Sequence, residues 1–144
     1  MEEGRAFGVQ SLSGTGCLRV GAEFLRRQLN ASVVLLSEPT WGNHNLIFKH
    51  SGYAEIKKYR YWNGAKCELD IDGMLEDLKA APAGAVVVLH ACAHNPTGID
   101  PTKEQWKAIA DIVEANKLVP FFDSAYQVKV LLIHRNSRFA MKMS

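Results

Sequence analysis

The sequence predicts an α/β protein in which a mostly parallel sheet carries helices on both faces. Short, continuous apolar runs recur along the 144 residues, as is typical of strands buried on both faces of a sheet. Segments with helical periodicity lie between these runs, and polar or glycine-containing turns separate the two. This alternation indicates parallel strands, because each parallel pair needs a crossover connection.

The first third of the chain predicts two strands and two helices. A short apolar run at 9–12 predicts a strand, and the segment 13–29 predicts a helix. The run VVLL at 33–36 predicts a buried strand. The segment 45–50 predicts a short helix with Gly52 as its stop signal. The inner face of the first helix is predicted to consist of Leu18, Ala22, Leu25 and Leu29.

The middle of the chain predicts one further strand and helix. The segment IKKYRY at 56–61 has strand character. Asp70 or Asp72 can cap the helix that follows, and Pro82 comes after its end. The apolar stripe of this helix consists of Ile71, Met74, Leu75 and Leu78.

The last predicted elements are a strand, a helix and a strand. The run AVVVLH at 85–90 gives the clearest strand signal. Thr102 and Gln105 have capping-box spacing at the start of a helix. The segment 118–123 predicts the last strand, although Pro120 within it fits best at a sheet edge. The core face of the helix is predicted to consist of Trp106, Ile109, Ala110 and Val113.

Composition and charge exclude several classes of function. The net charge is +2, from 17 basic and 15 acidic residues, too small to predict a nucleic-acid or anionic-membrane partner. No apolar run has the length of a membrane span. The start, MEEGRAFG, resembles neither a secretory signal nor a transit peptide. The odd, widely spaced Cys17, Cys67 and Cys92 predict reduced thiols in an intracellular protein.

Unusual polar and aromatic residues follow the predicted strands. These residues belong to the segments SGTG (13–16), SEPTWGNH (37–44), HNPTG (94–98) and DSAY (123–126). Parallel sheets bind ligands at the carboxyl ends of their strands. A glycine-containing turn with hydroxyl groups at a helix start is suited to an anion. Together these segments predict a pocket with a phosphate seat, an aromatic plate and a carboxylate, which suits a flat, phosphorylated, nitrogen-heterocyclic cofactor.

Each of these features also has a simpler interpretation. The SGTG segment on its own is more typical of a capped helix with a tight turn than of an anion site. Trp41 can be a core or surface aromatic, and Asp123 can be the N-cap of a following helix. Tyr126 can be an amphipathic residue at the rim of the protein, and Asn95 before Pro96 is a common turn pair.

A metal site is a second possibility at the end of the 85–90 strand. His90, Cys92 and His94 alternate, so on a strand all three would point to one face. Three ligands on one strand lack a well-placed fourth ligand for tetrahedral zinc. We therefore predict no metal site.

Several motifs resemble a known enzyme family. The segments VQSLSGTGCLRVGAEFL, PTWGNH, YRYW, VLHACAHNPTGIDPTKEQWKAIA and PFFDSAYQ closely resemble aspartate aminotransferases. Those enzymes use pyridoxal 5'-phosphate and belong to the fold-type I aminotransferases. The similarity runs from about Arg5 to Gln127, which implies that residues 1–127 form part of the cofactor-binding large domain. Residues 128–144 diverge from the family pattern.

The resemblance implies a cofactor-binding role for seven residues. The serine, glycine and threonine of SGTG match the phosphate-binding loop, and the tryptophan matches the residue that stacks on the pyridine ring. The asparagine and the tyrosine match hydrogen-bonding partners of the ring oxygen, and the aspartate matches the carboxylate that pairs with the ring nitrogen. His44 matches a histidine that orients this carboxylate, and His90 is expected beside it. The seven residues are Ser13, Gly14, Thr15, Trp41, Asn95, Asp123 and Tyr126.

The resemblance also implies an activity, the transfer of the amino group of L-aspartate to 2-oxoglutarate to give oxaloacetate and L-glutamate. The family's Schiff-base lysine and small domain have no counterpart here, so we expect no catalytic residue and no activity from this chain alone. The family further implies amino-acid and 2-oxo-acid substrates, a homodimer and a cytoplasmic location, with a mitochondrial form as the alternative.

Two other hypotheses stay open from the sequence. One is a short, non-catalytic isoform that binds cofactor weakly or pairs with full-length subunits. The other is a binder of a different cofactor or of a metal, built on the same half-sheet.

Overall fold

The computed structural model describes residues 6–126, and its centre is a four-stranded parallel sheet. The strands are β1 (Val33–Glu38), β2 (Glu55–Arg60), β3 (Trp62–Asn63), β4 (Glu68–Leu69), β5 (Val86–His90) and β6 (Val119–Asp123). The sheet has the order β2-β1-β5-β6, and every neighbouring pair in it is parallel. The short strands β3 and β4 form a separate antiparallel pair.

Helices cover both faces of the sheet, which confirms the predicted fold class. They are α1 (Ser13–Gln28), α2 (Asn43–His50), α3 (Ile71–Lys79) and α4 (Lys103–Ala115). Alternate residues of a strand point to opposite faces. Val34 of β1 therefore packs in a cluster with residues of α1 and α2, whereas Leu35 packs in a second cluster with residues of α3 and α4. The sheet thus separates two apolar layers.

The predicted helix signals are confirmed where the structure describes them. The Asp70 side chain, not that of Asp72, caps α3 by accepting a hydrogen bond from a backbone N–H. Thr102 and Gln105 form a reciprocal capping box at the start of α4. Helix α2 ends just before Gly52, whose φ of +84° lies in the left-handed region that glycine adopts without strain.

The structure contradicts two predictions and adds one element. Residues 9–12 do not form a strand, and Val9 and Leu12 are 66% and 87% exposed. An apolar run becomes a strand only beside a partner, and no strand of the described region lies next to this one. Leu29 is 54% exposed because it is the C-cap residue of α1, beyond the packed part of the helix. The antiparallel pair of β3 and β4 was not predicted, since two-residue strands show no periodicity.

Pro120 fits into β6 without loss of a sheet hydrogen bond. Val119 donates its backbone N–H to Ala85, next to β5. Successive N–H groups of a strand point to opposite sides, so the position without an N–H, Pro120, faces away from β5. Within the described residues β6 pairs only with β5 and is an edge strand, as the sequence indicated for a proline-containing strand.

Within residues 6–126, no helix is both long enough and apolar enough to cross a membrane.

Candidate cofactor site

A cavity of about 430 Å³ opens at the carboxyl ends of β5 and β6 and at the start of α1. The seven residues assigned to cofactor binding from the sequence all line this cavity, and His90 lines it with them. Four lining residues were not assigned to cofactor binding. One is the cysteine considered above as a metal ligand, and the others have small or apolar side chains that carry no chemical signal of their own. They are Leu18, Cys92, Ala93 and Ala125.

The start of α1 forms one end of the cavity. The N-cap residue is Leu12, and no side chain caps the first turn, so the simpler interpretation of SGTG as a capped helix start is not what the structure shows. Uncapped N–H groups and the helix dipole together favour an anion at this end. An added Cβ at Gly14 would meet no atom within 4 Å, so the backbone is open here. Ser13 has a φ of +56°, which is uncommon for a residue other than glycine.

Asp123 lies at the other end, where its carboxylate is held by a histidine. The Nε2 atom of His44 donates a hydrogen bond to Oδ2 of Asp123 at 2.9 Å. His44 is fully buried, so this donor is fixed in place. The hydrogen bond from His44 is the main cause that lowers the pKa of Asp123, against the opposing effect of burial. The carboxylate is therefore ionised and directed into the cavity region instead of capping a helix.

A chain of hydrogen bonds connects this carboxylate to a backbone amide. Asn95 donates its N–H to Nδ1 of His90 at 3.1 Å, so in a neutral ring the proton of His90 is on Nε2. That nitrogen lies 3.4 Å from Oγ1 of Thr40. The Thr40 hydroxyl in turn lies 2.8 Å from Nδ1 of His44 and donates to it. His44 then carries its proton on Nε2, the atom that contacts Asp123.

Burial keeps His90 in its neutral form. Desolvation, followed by the proximity of His44, lowers the pKa of His90 to about 4. A neutral His90 must use one nitrogen as acceptor and the other as donor. Because the Asn95 amide donates to Nδ1 of His90, Nε2 of His90 must donate to Thr40. This in turn determines the direction of the hydrogen bonds from Thr40 to His44 and from His44 to Asp123. Asp123 thus receives a donor whose tautomer is set by the backbone.

Three further residues complete the lining of the cavity. Trp41 lines the cavity and contacts the His44 ring edge-on, with centroids 5.4 Å apart. It also packs partly against the apolar layer beneath α1 and α2, so the core interpretation holds for part of its surface. Asn95 is exposed, and Tyr126 is 45% exposed, so both side chains have room to contact a ligand.

The candidate metal ligands do not gather around one point. Strand β5 ends at His90, so the alternation of His90, Cys92 and His94 does not continue along a strand. Both ring nitrogens of His94 already contact hydroxyl groups, Ser37 at 2.9 Å and Thr97 at 2.8 Å. Among residues 6–126, no group of three histidine, cysteine, aspartate or glutamate side chains is arranged to hold a metal ion.

The loop that carries Asn95 is fastened at three points. The Asp100 carboxylate accepts the backbone N–H groups of Ala93 at 2.7 Å and of His94 at 3.0 Å. The His94 ring stacks on Tyr61 with centroids 3.7 Å apart. The Tyr61 hydroxyl donates to the carbonyl of Ile99 at 2.7 Å. These contacts place the Asn95 amide against His90.

Sequence reasoning missed Thr40 and Asp100. Thr40 occurs in the segment SEPTWGNH, four residues before His44. This spacing, close to the start of a helix, could have indicated the contact between Thr40 and His44. It could not have indicated the contact with His90, which is fifty positions further along the chain. Asp100 has no distinguishing pattern, because its role comes from the curvature of the loop around it.

Comparison with known proteins places the chain in a family. The profile of the family described as aminotransferase class I and II matches residues 1–135. The chain belongs to this family. Its fold also matches the crystal structure of aspartate aminotransferase from Trypanosoma cruzi, with a TM-score of 0.80 and 53% identity over 83% of this chain.

Relatives in sequence point to the same branch of the family. The chain is 53% identical over 128 residues to the cytoplasmic aspartate aminotransferase of Gallus gallus. It is 50% identical over 127 residues to the cytoplasmic aspartate aminotransferase of Caenorhabditis elegans. These matches cover 85% and 88% of this chain, but only 31% of each relative. The chain thus spans about a third of the length of these relatives and of the T. cruzi structure, of which it covers 31%.

The buried histidines predict that stability falls in mild acid. The pKa values of His90 and His94 are lowered to about 4 and about 3, in both cases mainly by burial. The unfolded chain therefore binds protons first, below a pH of about 6.5. We expect the free energy of unfolding to be highest above that pH and to fall steadily towards pH 4, as measured by urea unfolding. A free energy of unfolding that stays constant between pH 7 and pH 5 would contradict this prediction. The control is His50→Gln at an exposed position, which should leave the dependence of this free energy on pH unchanged.

The Thr40 hydroxyl is predicted to stabilise the folded protein. Thr40→Val leaves Nδ1 of buried His44 without a donor and Nε2 of His90 without an acceptor. We expect this change to lower the free energy of unfolding by about 1–3 kcal/mol, the usual effect of unsatisfied buried polar groups. Thr40→Ser keeps the hydroxyl and should lose much less. If the valine and serine variants unfold at the same urea concentration, the hydroxyl does not link the two histidines.

Proposed function

We propose that residues 6–126 form the pyridoxal 5'-phosphate-binding part of an aspartate aminotransferase, which transfers the amino group of L-aspartate to 2-oxoglutarate. The observation that carries this proposal is the ionised Asp123 carboxylate, held by His44, in the same cavity as the open N-terminus of α1. A carboxylate and an anion seat on one cavity suit a ligand with a cationic ring nitrogen at one end and a phosphate at the other.

The side chains present fit such a cofactor. Its phosphate would be held by Ser13, Gly14 and Thr15, where the cavity has hydroxyl groups and uncapped backbone N–H groups. The face of the Trp41 ring suits a flat heterocycle. The cavity volume of about 430 Å³ is within the range of small-molecule sites.

The remaining lining groups are assigned to the ring substituents. In this proposal Asn95 and Tyr126, which line the cavity, would donate hydrogen bonds to the oxygen on the ring, and Asp123 would accept one from the ring nitrogen. When bound, pyridoxal 5'-phosphate supplies an electron sink for the reacting carbon of an amino acid. The protein's part is to position the ring and to control the proton on its nitrogen.

Asp123 is the residue that controls this proton. An ionised carboxylate beside the ring nitrogen favours the protonated form of that nitrogen. Its ionisation is maintained by His44, and the tautomer of His44 is maintained by Thr40 and His90. The residues that act on Asp123 are thus positioning residues, since they reach the proposed ligand only through the carboxylate.

The whole protein's partners and location belong to the same proposal. Amino-acid and 2-oxo-acid substrates and a homodimer are the proposal that membership of the aminotransferase class I and II family supports. A cytoplasmic location is supported by the relatives from Gallus gallus, Caenorhabditis elegans and Oryza sativa, each named as cytoplasmic. The division into a large-domain segment at 1–127 and a divergent segment at 128–144 also stays a prediction. Residues 127–144 lie outside the described part of the chain.

Cofactor binding is tested with the 144-residue chain itself. We expect pyridoxal 5'-phosphate to bind without a covalent bond and Asp123→Asn to weaken binding by about tenfold or more, the effect of losing a hydrogen bond to a charged group. Absorbance of the ring measures both affinity and ring protonation. Asp111→Asn, an exposed substitution on α4, is the matched control. Equal affinities of wild type and Asp123→Asn would place the ligand elsewhere.

Transamination is tested in a chimera. Residues 6–126 replace the corresponding segment of the Gallus gallus enzyme, which is 53% identical to this chain. We expect the chimera to form oxaloacetate from aspartate and 2-oxoglutarate, and we expect Asp123→Ala to lower its kcat by about a hundredfold or more. A folded chimera that binds the cofactor but does not transaminate would favour a non-catalytic binding role.

A further inference from the structure

Helix α1 and strand β6 meet at an unusually close contact beneath the cavity. A Cβ atom added to Gly21 would lie 2.6 Å from Cζ and 2.8 Å from Cε2 of Phe121. Ordinary carbon contacts begin at 3.4 Å. The backbone of α1 therefore lies directly against the Phe121 ring, and any side chain at position 21 requires the ring or the helix to shift.

A buried neighbour limits the movement of the Phe121 ring away from an added methyl group. On the layer that α1 and α2 share, its ring contacts Phe48 edge-on, with centroids 6.0 Å apart. Phe48 is fully buried and is itself packed on Tyr53 at 5.1 Å. Close-packed aromatic rings transmit a displacement instead of absorbing it. A side chain at position 21 would consequently push α1 away from β6.

The two elements that touch here carry opposite ends of the proposed cofactor site. Gly21 is six positions after Thr15, or roughly 9 Å along the helix axis. Phe121 is two positions before Asp123, or roughly 7 Å along the strand. Both distances are short, so the separation of α1 from β6 at this contact affects how far the phosphate seat is from the carboxylate.

We propose that Gly21 is a positioning residue that sets the span between the phosphate seat and Asp123. This inference rests on the function proposed above, because the span has meaning only if one ligand occupies both ends. The phosphate and the ring nitrogen of pyridoxal 5'-phosphate are joined by covalent bonds, so their separation is fixed within narrow limits. A site with the matching span binds the two groups cooperatively, whereas a site that is too long engages only one of them well.

The test compares one linked ligand with its two halves. In Gly21→Ala we expect pyridoxal 5'-phosphate to bind about tenfold more weakly, because one of its two charged ends is no longer fully engaged. Pyridoxal and inorganic phosphate, each of which uses one end, should bind within about twofold of wild type. Alanine has a higher helix propensity than glycine, so a loss of affinity does not come from a weaker α1 helix.

Two further variants separate positioning from general damage. Gly8→Ala adds the same methyl group where no atom lies within 4 Å, and it should leave all three affinities unchanged. The double variant Gly21→Ala with Phe121→Leu removes the ring atoms that the methyl group meets, and it should restore affinity for pyridoxal 5'-phosphate to within about threefold. Equal losses for all three ligands, or no recovery in the double variant, would overturn the proposal.

A measurement without ligand distinguishes this inference from the proposed function. In crystal structures of wild type and Gly21→Ala, we expect the Cα separation of Thr15 and Asp123 to increase by about 0.8 Å, the difference between 3.4 Å and 2.6 Å. An unchanged separation would overturn the role of Gly21 whatever the ligand. If the separation increases as expected but the wild-type chain does not bind pyridoxal 5'-phosphate, the proposed function fails, and with it the purpose assigned to the span. If Gly21→Ala does not fold, the double variant decides the matter, because it must fold and bind for the proposal to stand.

Discussion

Parallel pairing of β5 with β6 is the constraint on which the rest of the site depends. In this register His90 is the direct partner of Asp123, so the last residues of two strands lie side by side at the same edge of the sheet. An antiparallel pair would send these two ends to opposite edges. Because α2 packs on the same face of the sheet as α1, His44 reaches the carboxylate from a third element. The position of Asp123 and of its direct partner His44 is therefore set by two strands and a helix.

The polar groups around this acid form a satisfied network in a buried setting. Within residues 6–126, every buried side-chain nitrogen and oxygen has a hydrogen-bond partner. Networks of this kind stabilise a single arrangement of protons, because reversing one hydrogen bond leaves a neighbouring polar group without a partner. Here a backbone amide, which has only one possible role, determines the tautomers of His90 and His44 in turn. The electrostatic state of Asp123 thus follows from the fold of the loop at 91–100.

The sequence predicts most of this fold, and the exceptions have physical causes. Helices and central strands are predictable from it because burial imposes a period on many consecutive residues. Residues 9–12 have the composition of a strand, but a strand also needs a neighbour, which local composition does not report. In the site, residues with unusual chemistry such as Trp41 and Asp123 are recognisable by type. Thr40 is not recognisable in this way, because its importance comes from standing between two histidines that are distant in the chain.

The N-termini of the four described helices differ in whether a side chain caps them, and this difference separates the helices next to the cavity from the others. On the face away from the cavity, α3 and α4 both begin with a side-chain cap that accepts a hydrogen bond from one of the free backbone N–H groups of the first turn. On the face of the cavity, α1 and α2 both begin without a side-chain cap. A missing cap costs about 1 kcal/mol of helix stability, and it leaves N–H groups available to an outside acceptor. At the start of α1 these groups border the cavity that also contains an ionised carboxylate. A ligand with an anionic group would accept hydrogen bonds from the uncapped N–H groups of α1, and a cationic group on the same ligand would pair with the Asp123 carboxylate. Because no side chain of the described residues caps α1 and Asp123 keeps its negative charge, both interactions can contribute to the binding energy of the ligand.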